Sequence, residues 1–155
     1  MPTVGRPSLV RTIESVYPQL HAGDEVIIVR DDTGDSGNSP RDRAQPSGTH
    51  LWYLDDDDIA TPDALTHLRR MAAKDPRAMW VFRMDHPQDG ILWRERVLKP
   101  GNVGTPCILL PNRYALPKWT EGNDELIFSD FRWIERAAKG MDVLWSEDVV
   151  ARIRP

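Results

Sequence analysis

The feature that most constrains this chain is the stretch His50–Asp58, where a short apolar segment runs directly into four consecutive aspartates. The apolar part, His50–Leu54, has the length and character of a buried β-strand. Four adjacent carboxylates repel one another, so a fold that gathers them must compensate their charge. Mg²⁺ or Mn²⁺ does so with oxygen ligands and commonly carries substrate phosphates. The stretch therefore predicts a metal and phosphate site, and the alternative is a solvated acidic turn.

A second apolar segment ends in the same way. Glu25–Val29 is rich in β-branched residues, which is typical of a parallel strand covered on both faces, and Asp31 and Asp32 follow it. After the first acidic strand, the segment Thr61–Asp63 predicts a helix start with Thr61 as N-cap. Open α/β sheets bind ligands where strands end before helices, so two such strand ends indicate a nucleotide site.

The remaining pattern predicts the fold class. Amphipathic spacing predicts helices near 9–17, 62–75 and 125–139, and Thr33–Gly48 is a long polar loop. Further strands are predicted at 79–84, 91–98, 105–110, 143–145 and 149–153. We expect one α/β domain over residues 1–155, a three-layer sandwich with a mostly parallel central sheet.

Composition excludes several classes of protein. The 155 residues are 40% hydrophobic and 28% charged, as in soluble globular proteins, and the net charge of −4 argues against non-specific nucleic-acid binding. The single cysteine, Cys107, lies in an apolar segment, which predicts a buried thiol and fits a reducing compartment. There is no apolar stretch of the roughly 18–20 residues that span a bilayer, and no signal peptide. We therefore expect a cytoplasmic protein without a membrane span.

Four segments of the chain fit one known pattern when they are taken in order. They are Pro2–Leu9, Val26–Asp35, Leu54–Asp63, and the pair Ser129-Asp130 at the head of an amphipathic helix. Together they resemble the family 2 nucleotide-sugar glycosyltransferases of the GT-A fold. The resemblance implies a donor-binding half of about 1–75 and an acceptor and catalytic half of about 76–155. The chain departs from the family at Ser129, where a Glu is usual, and in having no full apolar strand before Pro2.

The resemblance also implies a nucleotide site. Its members would be Pro2, Thr3, Val4, Gly5, Arg6, Asp31, Arg43, Asp55 and Asp56. Asp31 would hydrogen-bond the base, commonly uracil, and Asp55 or Asp56 would reach the ribose. Asp57, with Asp55, would bind the Mn²⁺ or Mg²⁺ ion that bridges the diphosphate.

In the second half, Asp130 matches the family's catalytic base, and the alternative is a helix N-terminal acid favoured by the dipole. Acceptor contacts are expected between Lys99 and Asn123, at Gly104, Thr105 and Trp119. The Trp119 ring would either stack on a sugar or acceptor ring or belong to the core.

The function so implied is metal-dependent, inverting transfer of a sugar, most commonly from a UDP-sugar, to an acceptor hydroxyl. The acceptor could be a polysaccharide end, a protein side chain or a hydroxylated base in DNA. Two other functions remain open from the residues: a divalent-metal phosphohydrolase built on Asp55 and Asp57, and a non-catalytic nucleotide-binding module.

Overall fold

The computed structural model describes residues 1–113, 116–121 and 129–155. The helices in these ranges are α1 Ser8–Val16, α2 Asn38–Arg43, α3 Ala64–Lys74 and α4 Ser129–Ala137. The strands are β1 Pro2–Thr3, β2 Val29–Arg30, β3 His50–Trp52, β4 Ile59–Ala60, β5 Met79–His86, β6 Gly90–Leu92, β7 Ile108–Pro111 and β8 Val143–Arg152. Residues 125–128 of the predicted last helix lie outside the described residues.

The predicted three-layer sandwich with a mostly parallel sheet is wrong, and so is the GT-A architecture expected with it. The main sheet is mixed, with the order β3-β7-β5-β8-β4 and with β6 paired to β5, and it curls into a half-barrel. Within it β5 and β8 run parallel, whereas β7 is antiparallel to β3 and β5, and β4 is antiparallel to β8. Parallel neighbours require long crossovers, but β5 and β6 are joined by a hairpin that includes Gly90 at φ +69°.

The β-branched segment Glu25–Val29 also differs from its prediction. Only Val29–Arg30 forms a strand, in a separate two-stranded parallel sheet with Pro2–Thr3, and Ile28 is exposed. The partner strand begins with a proline, which has no N–H to donate to a ladder. An apolar segment with one short partner therefore stays mostly irregular.

The start of α3 is two residues later than the sequence predicts. Asp63 precedes the helix in a left-handed conformation, with φ +65°, and makes no capping hydrogen bond through its side chain. The Thr61 hydroxyl instead donates to the carbonyl oxygen of Val149 in β8, at 2.7 Å. Because β4 pairs with β8, the Thr61 side chain bonds to β8 and does not cap the helix as expected.

The core lies along the middle of the main sheet, where Val81, Phe82 and Ile108 are fully buried. Against this sheet α4 packs Trp133, whose ring stacks on Trp119 with centroids 4.0 Å apart. Tyr53 meets both indole rings edge-on. Trp119 is only 2% exposed, so of the two sequence-based possibilities its position fits the core.

The sequence predicts that the protein has no membrane span, and the length and hydropathy of the helices can be compared with this. Among the described residues, no helix combines the length and the apolar character that crossing a bilayer requires.

Replacing Trp119 by Ala should lower the free energy of unfolding by about 3–5 kcal/mol, because the change opens a cavity against Trp133 and Tyr53. Urea denaturation measures the loss. The control is Tyr17→Ala, since the Tyr17 side chain is 58% exposed and its removal should change stability by no more than about 0.5 kcal/mol. A Trp119 variant as stable as the control would show that the ring does not belong to the core.

Candidate functional site

A polar pocket of about 300 Å³ lies beside the acidic turn that follows β3. Segments that are far apart in sequence meet in it. The predicted site residues in its wall are Pro2, Thr3, Val4, Arg6, Asp31, Asp55, Asp56, Asp57, Thr105 and Asp130. The acceptor segment, the nucleotide segments and the expected base therefore share one cavity.

A larger cavity of about 740 Å³ lies next to this pocket, and Pro2 and Arg41 line both. Its wall is mainly apolar and includes Trp119 and Trp133. We place the candidate site in the smaller pocket, because the acids and guanidinium groups that can recognise a charged ligand converge there.

The buried Asp56 carboxylate joins β1 to the acidic turn. The Thr3 hydroxyl donates to Asp56 Oδ2 at 2.6 Å, and Arg6 Nη1 donates to Asp56 Oδ1 at 2.9 Å. The Gly5 amide donates to the Thr3 hydroxyl, and the φ of +86° at Gly5 lets the chain turn there. Thr3, Gly5 and Arg6 thus organise this wall of the pocket before any ligand binds.

Guanidinium groups compensate the two candidate metal ligands, Asp55 and Asp57. Arg41 Nη2 lies 2.5 Å from Asp55 Oδ1. Arg6 Nη1 and Arg154 Nε lie 3.0 Å and 3.4 Å from the same oxygen, Oδ2 of Asp57. In the part of the chain that the structure describes, no three His, Cys, Asp or Glu side chains gather as a metal site would require. One oxygen of Asp55 and one of Asp57 are therefore already paired with arginine side chains in this arrangement.

The position of Arg154 follows from strand register. Antiparallel pairing sets Ile59 opposite Arg152, and the same register continued by two residues places Arg154 opposite Asp57. Arg154 has a left-handed backbone with φ +46°, and its amide donates to Asp58 Oδ1 at 3.1 Å. The chain thus leaves β8 with the Arg154 side chain at the pocket.

Asp58, which accepts the hydrogen bond from the Arg154 amide, is buried. Burial, together with the negative charges of Asp55 and Asp57, raises the pKa of Asp58 to about 7, although the hydrogen bond from the Arg154 amide opposes the rise. The Thr12 hydroxyl donates to the Asp58 carbonyl oxygen at 2.7 Å and so ties α1 to the same turn.

Asp130 stands in the first turn of α4 and lines the pocket. Burial raises the pKa of its carboxyl group, and the charge of Asp55 adds to the rise, although the Phe131 amide donates to Oδ1 and lowers it. Gly104 leaves room beside it, since a Cβ atom there would lie 3.6 Å from Asp130 Oδ2. The predicted acceptor residues Gly104 and Thr105 therefore adjoin the predicted base.

Asp31 organises the loop after β2. Its Oδ1 accepts from the Thr33 amide, the Thr33 hydroxyl and the Gly34 amide, and its Oδ2 accepts from the Gly37 amide. Partial burial would raise the pKa of Asp31, but the hydrogen bonds from Thr33 and Gly34 outweigh it and leave the pKa lowered. The residue expected to read the base thus also holds the loop that carries it.

Arg41 and Arg43 are two positions apart in the sequence, but only one of them reaches the pocket. Arg43, the predicted nucleotide contact, is outside the pocket wall and pairs with Asp32 and the Arg30 carbonyl. Arg41 lines the pocket instead, over the Trp119 ring at 4.7 Å. Two residues correspond to about 200° around a helix, so the arginines face opposite ways, and this periodicity is a signal that could have distinguished them.

Asp31→Ala should speed amide hydrogen exchange at Thr33, Gly34 and Gly37, because it removes the acceptor of all three amides. By analogy with loss of a helix cap, we expect a cost of about 1 kcal/mol in local stability. Exchange followed by NMR checks this. Asp32→Ala, which removes an exposed acid from the same loop, is the matched control and should leave these amides unchanged. Equal exchange in both variants would contradict a structural role for Asp31.

A scan against protein-family models and a search of curated proteins found no match to this chain. The resemblance to the glycosyltransferases therefore stands on the four sequence segments, and the chemistry of the pocket follows from its own residues.

Proposed function

We propose that the pocket binds a nucleoside diphosphate sugar, most simply a UDP-sugar, and that the protein transfers the sugar to an acceptor hydroxyl with inversion. The observation that supports this most is that four segments converge on one polar pocket. They are the N-terminal segment, through Pro2, Thr3, Val4 and Arg6, then Asp31, Asp55–Asp57 and Asp130. The sequence pattern alone predicts a donor or catalytic role for each of these segments.

The nucleoside end of the donor fits the wall formed by β1 and the Asp31 loop. Val4 offers an exposed apolar side chain for a base to cover, next to the polar Pro2–Thr3 backbone. Asp31 carries its negative charge at the end of β2, where a base N–H could be recognised.

The sugar end would then face Asp130. In a single displacement the acceptor oxygen attacks the anomeric carbon, the bond to the diphosphate breaks, and its electron pair leaves with the nucleoside diphosphate. Asp130 takes the acceptor proton as the new bond forms. A carboxylate with a raised pKa is a better base, and positioned proton transfer contributes about 10²–10⁴-fold to rate.

A second candidate, the non-catalytic nucleotide-binding module, has one observation in its favour. Asp31, Asp55 and Asp56 are engaged in hydrogen bonds and ion pairs that hold the fold together. A protein that only binds the donor would need these contacts as much as an enzyme. Turnover distinguishes the two functions.

The direct test is a screen for UDP release from UDP-sugars, with water as the acceptor so that no acceptor need be known. Asp130→Asn should lower the rate by about 10²–10⁴-fold with UDP affinity unchanged. Glu135→Gln, an exposed acid of the same helix, is the matched control and should keep full rate. Binding without turnover would favour the module, and release of inorganic phosphate would favour the phosphohydrolase. An Asn variant that retains more than about a tenth of the rate would make Asp130 a helix-terminal acid.

The pH dependence should report the same group. Because the base must be ionised, kcat/KM should rise with pH to a plateau, with a midpoint above the ordinary carboxylate range. Folding responds in the opposite sense: the folded state favours the protonated Asp130, so the free energy of unfolding should fall as pH rises from that range through the raised pKa. Asp130→Asn should remove this part of the fall, as thermal melts at a series of pH values would measure. Parallel stability profiles in the two proteins would contradict the raised pKa.

We further propose a cytoplasmic location, which the lone buried Cys107 supports because reduced thiols persist there.

A further inference from the structure

We propose that Arg6 and Arg154 form a guanidinium pair that binds the donor diphosphate, in the role that the family resemblance gives to a divalent cation. The inference rests on the proposed function, since it concerns the same pocket. It assigns the neutralisation of the leaving group to two side chains of this chain.

Both side chains contact one carboxylate oxygen of Asp57. Arg6 Nη1 and Arg154 Nε approach the same oxygen of Asp57, so the two guanidinium groups lie within a few ångströms of each other at the pocket. They come from opposite ends of the chain, one from the turn after β1 and one from the segment after β8. A diphosphate presents oxygens on two phosphorus atoms, and two neighbouring guanidinium groups suit it because each can bind phosphate through two N–H groups.

Exposure separates this pair from the third arginine of the pocket. The Arg6 and Arg154 side chains are 51% and 72% exposed, whereas that of Arg41 is 6% exposed. Arg41 already donates to Asp55 and to the Ser36 carbonyl, and it lies over the Trp119 ring. A guanidinium group has five N–H donors. Among the described residues, the side-chain contacts of Arg6 involve Nη1 and that of Arg154 involves Nε, which leaves donors of both for a ligand.

Local hydrogen bonds fix the backbone from which both arginine side chains reach the pocket. Arg6 follows the Gly5 turn, which the Thr3–Asp56 hydrogen bond anchors, and Arg154 is fixed by the bond from its amide to Asp58. Half-exposed ion pairs contribute little to stability, so their side chains can exchange a carboxylate for a phosphate at small cost. Asp57 then holds the pair together in the free protein and competes with the ligand for it.

This competition yields a result that the metal hypothesis does not share. If Asp57 binds a bridging cation, Asp57→Asn should abolish UDP affinity. If Asp57 only holds the arginine pair, the amide oxygen of Asn can still accept from Arg6 or Arg154, and the lost charge frees the pair. Affinity should then stay the same or rise.

The experiment is calorimetric titration of the full chain with UDP and, separately, with inorganic pyrophosphate, each in a chelator and in Mn²⁺. We expect binding of both ligands to survive the chelator. Arg6→Gln and Arg154→Gln should each weaken it by about ten- to a hundredfold, the range for a hydrogen bond to a charged group. The pyrophosphate arm places the effect at the diphosphate and not at the base.

Arg152→Gln is the matched control, because it removes the same charge two residues away on β8, where Arg152 is 59% exposed and near Asp85. It should change affinity by less than about twofold, and thermal melts should show every variant folded. Should Arg6→Gln fail to fold because Asp56 loses a partner, Arg154→Gln and Asp57→Asn decide the outcome alone. UDP binding that requires Mn²⁺ and disappears in Asp57→Asn would overturn this inference and leave the proposed function standing. No UDP binding under any condition would overturn both.

Discussion

The arrangement of this molecule depends on the buried carboxylate of Asp56. An ionised carboxylate out of water costs several kcal/mol unless its oxygens are paired, and here Thr3 and Arg6 pair one oxygen each. These bonds connect the small β1–β2 sheet to the acidic turn of the main sheet, with which it shares no strand pairing in the described residues. The pocket exists because this contact brings the two sheets together.

The other acids of the turn show how a run of like charges is accommodated. Asp55 forms an ion pair with Arg41, and Asp57 forms ion pairs with Arg6 and Arg154. Cationic side chains from three separate segments therefore surround the turn. The repulsion among these carboxylates can be predicted from the sequence, whereas the arginines that lie near them follow from the fold. Ion pairs of exposed arginines are weak and exchangeable. A ligand with its own negative charge can therefore enter without dismantling the core.

Local patterns predicted α1, α3, β5 and the acid-ended β3 close to where they occur, because amphipathic spacing and apolar segments depend on neighbouring residues only. The sheet was predicted wrongly because an apolar segment does not specify its partner or the direction of that partner. The segment that contains Val26 forms little strand, because its one partner strand is short. Thr61 does not cap α3, because its hydroxyl donates to the Val149 carbonyl oxygen instead. The sequence offers both Arg152 and Arg154 as arginines that could reach a diphosphate, and the β4–β8 register separates Arg154, which lines the pocket, from Arg152, which lies near Asp85.

The acids assigned to the site differ in the hydrogen bonds that their carboxylate oxygens already accept. Asp56 and Asp31 have both oxygens occupied by donors of this chain, so their first role is to shape the pocket and its loop. The Asp130 carboxyl group accepts a hydrogen bond from the adjacent Phe131 amide, and it is buried within the electrostatic influence of a second acid, Asp55. Burial and a nearby negative charge both raise the pKa of a carboxyl group, and a carboxylate with a raised pKa is a better proton acceptor. Among the acids that line the pocket, it is therefore Asp130 whose surroundings suit it best to proton transfer.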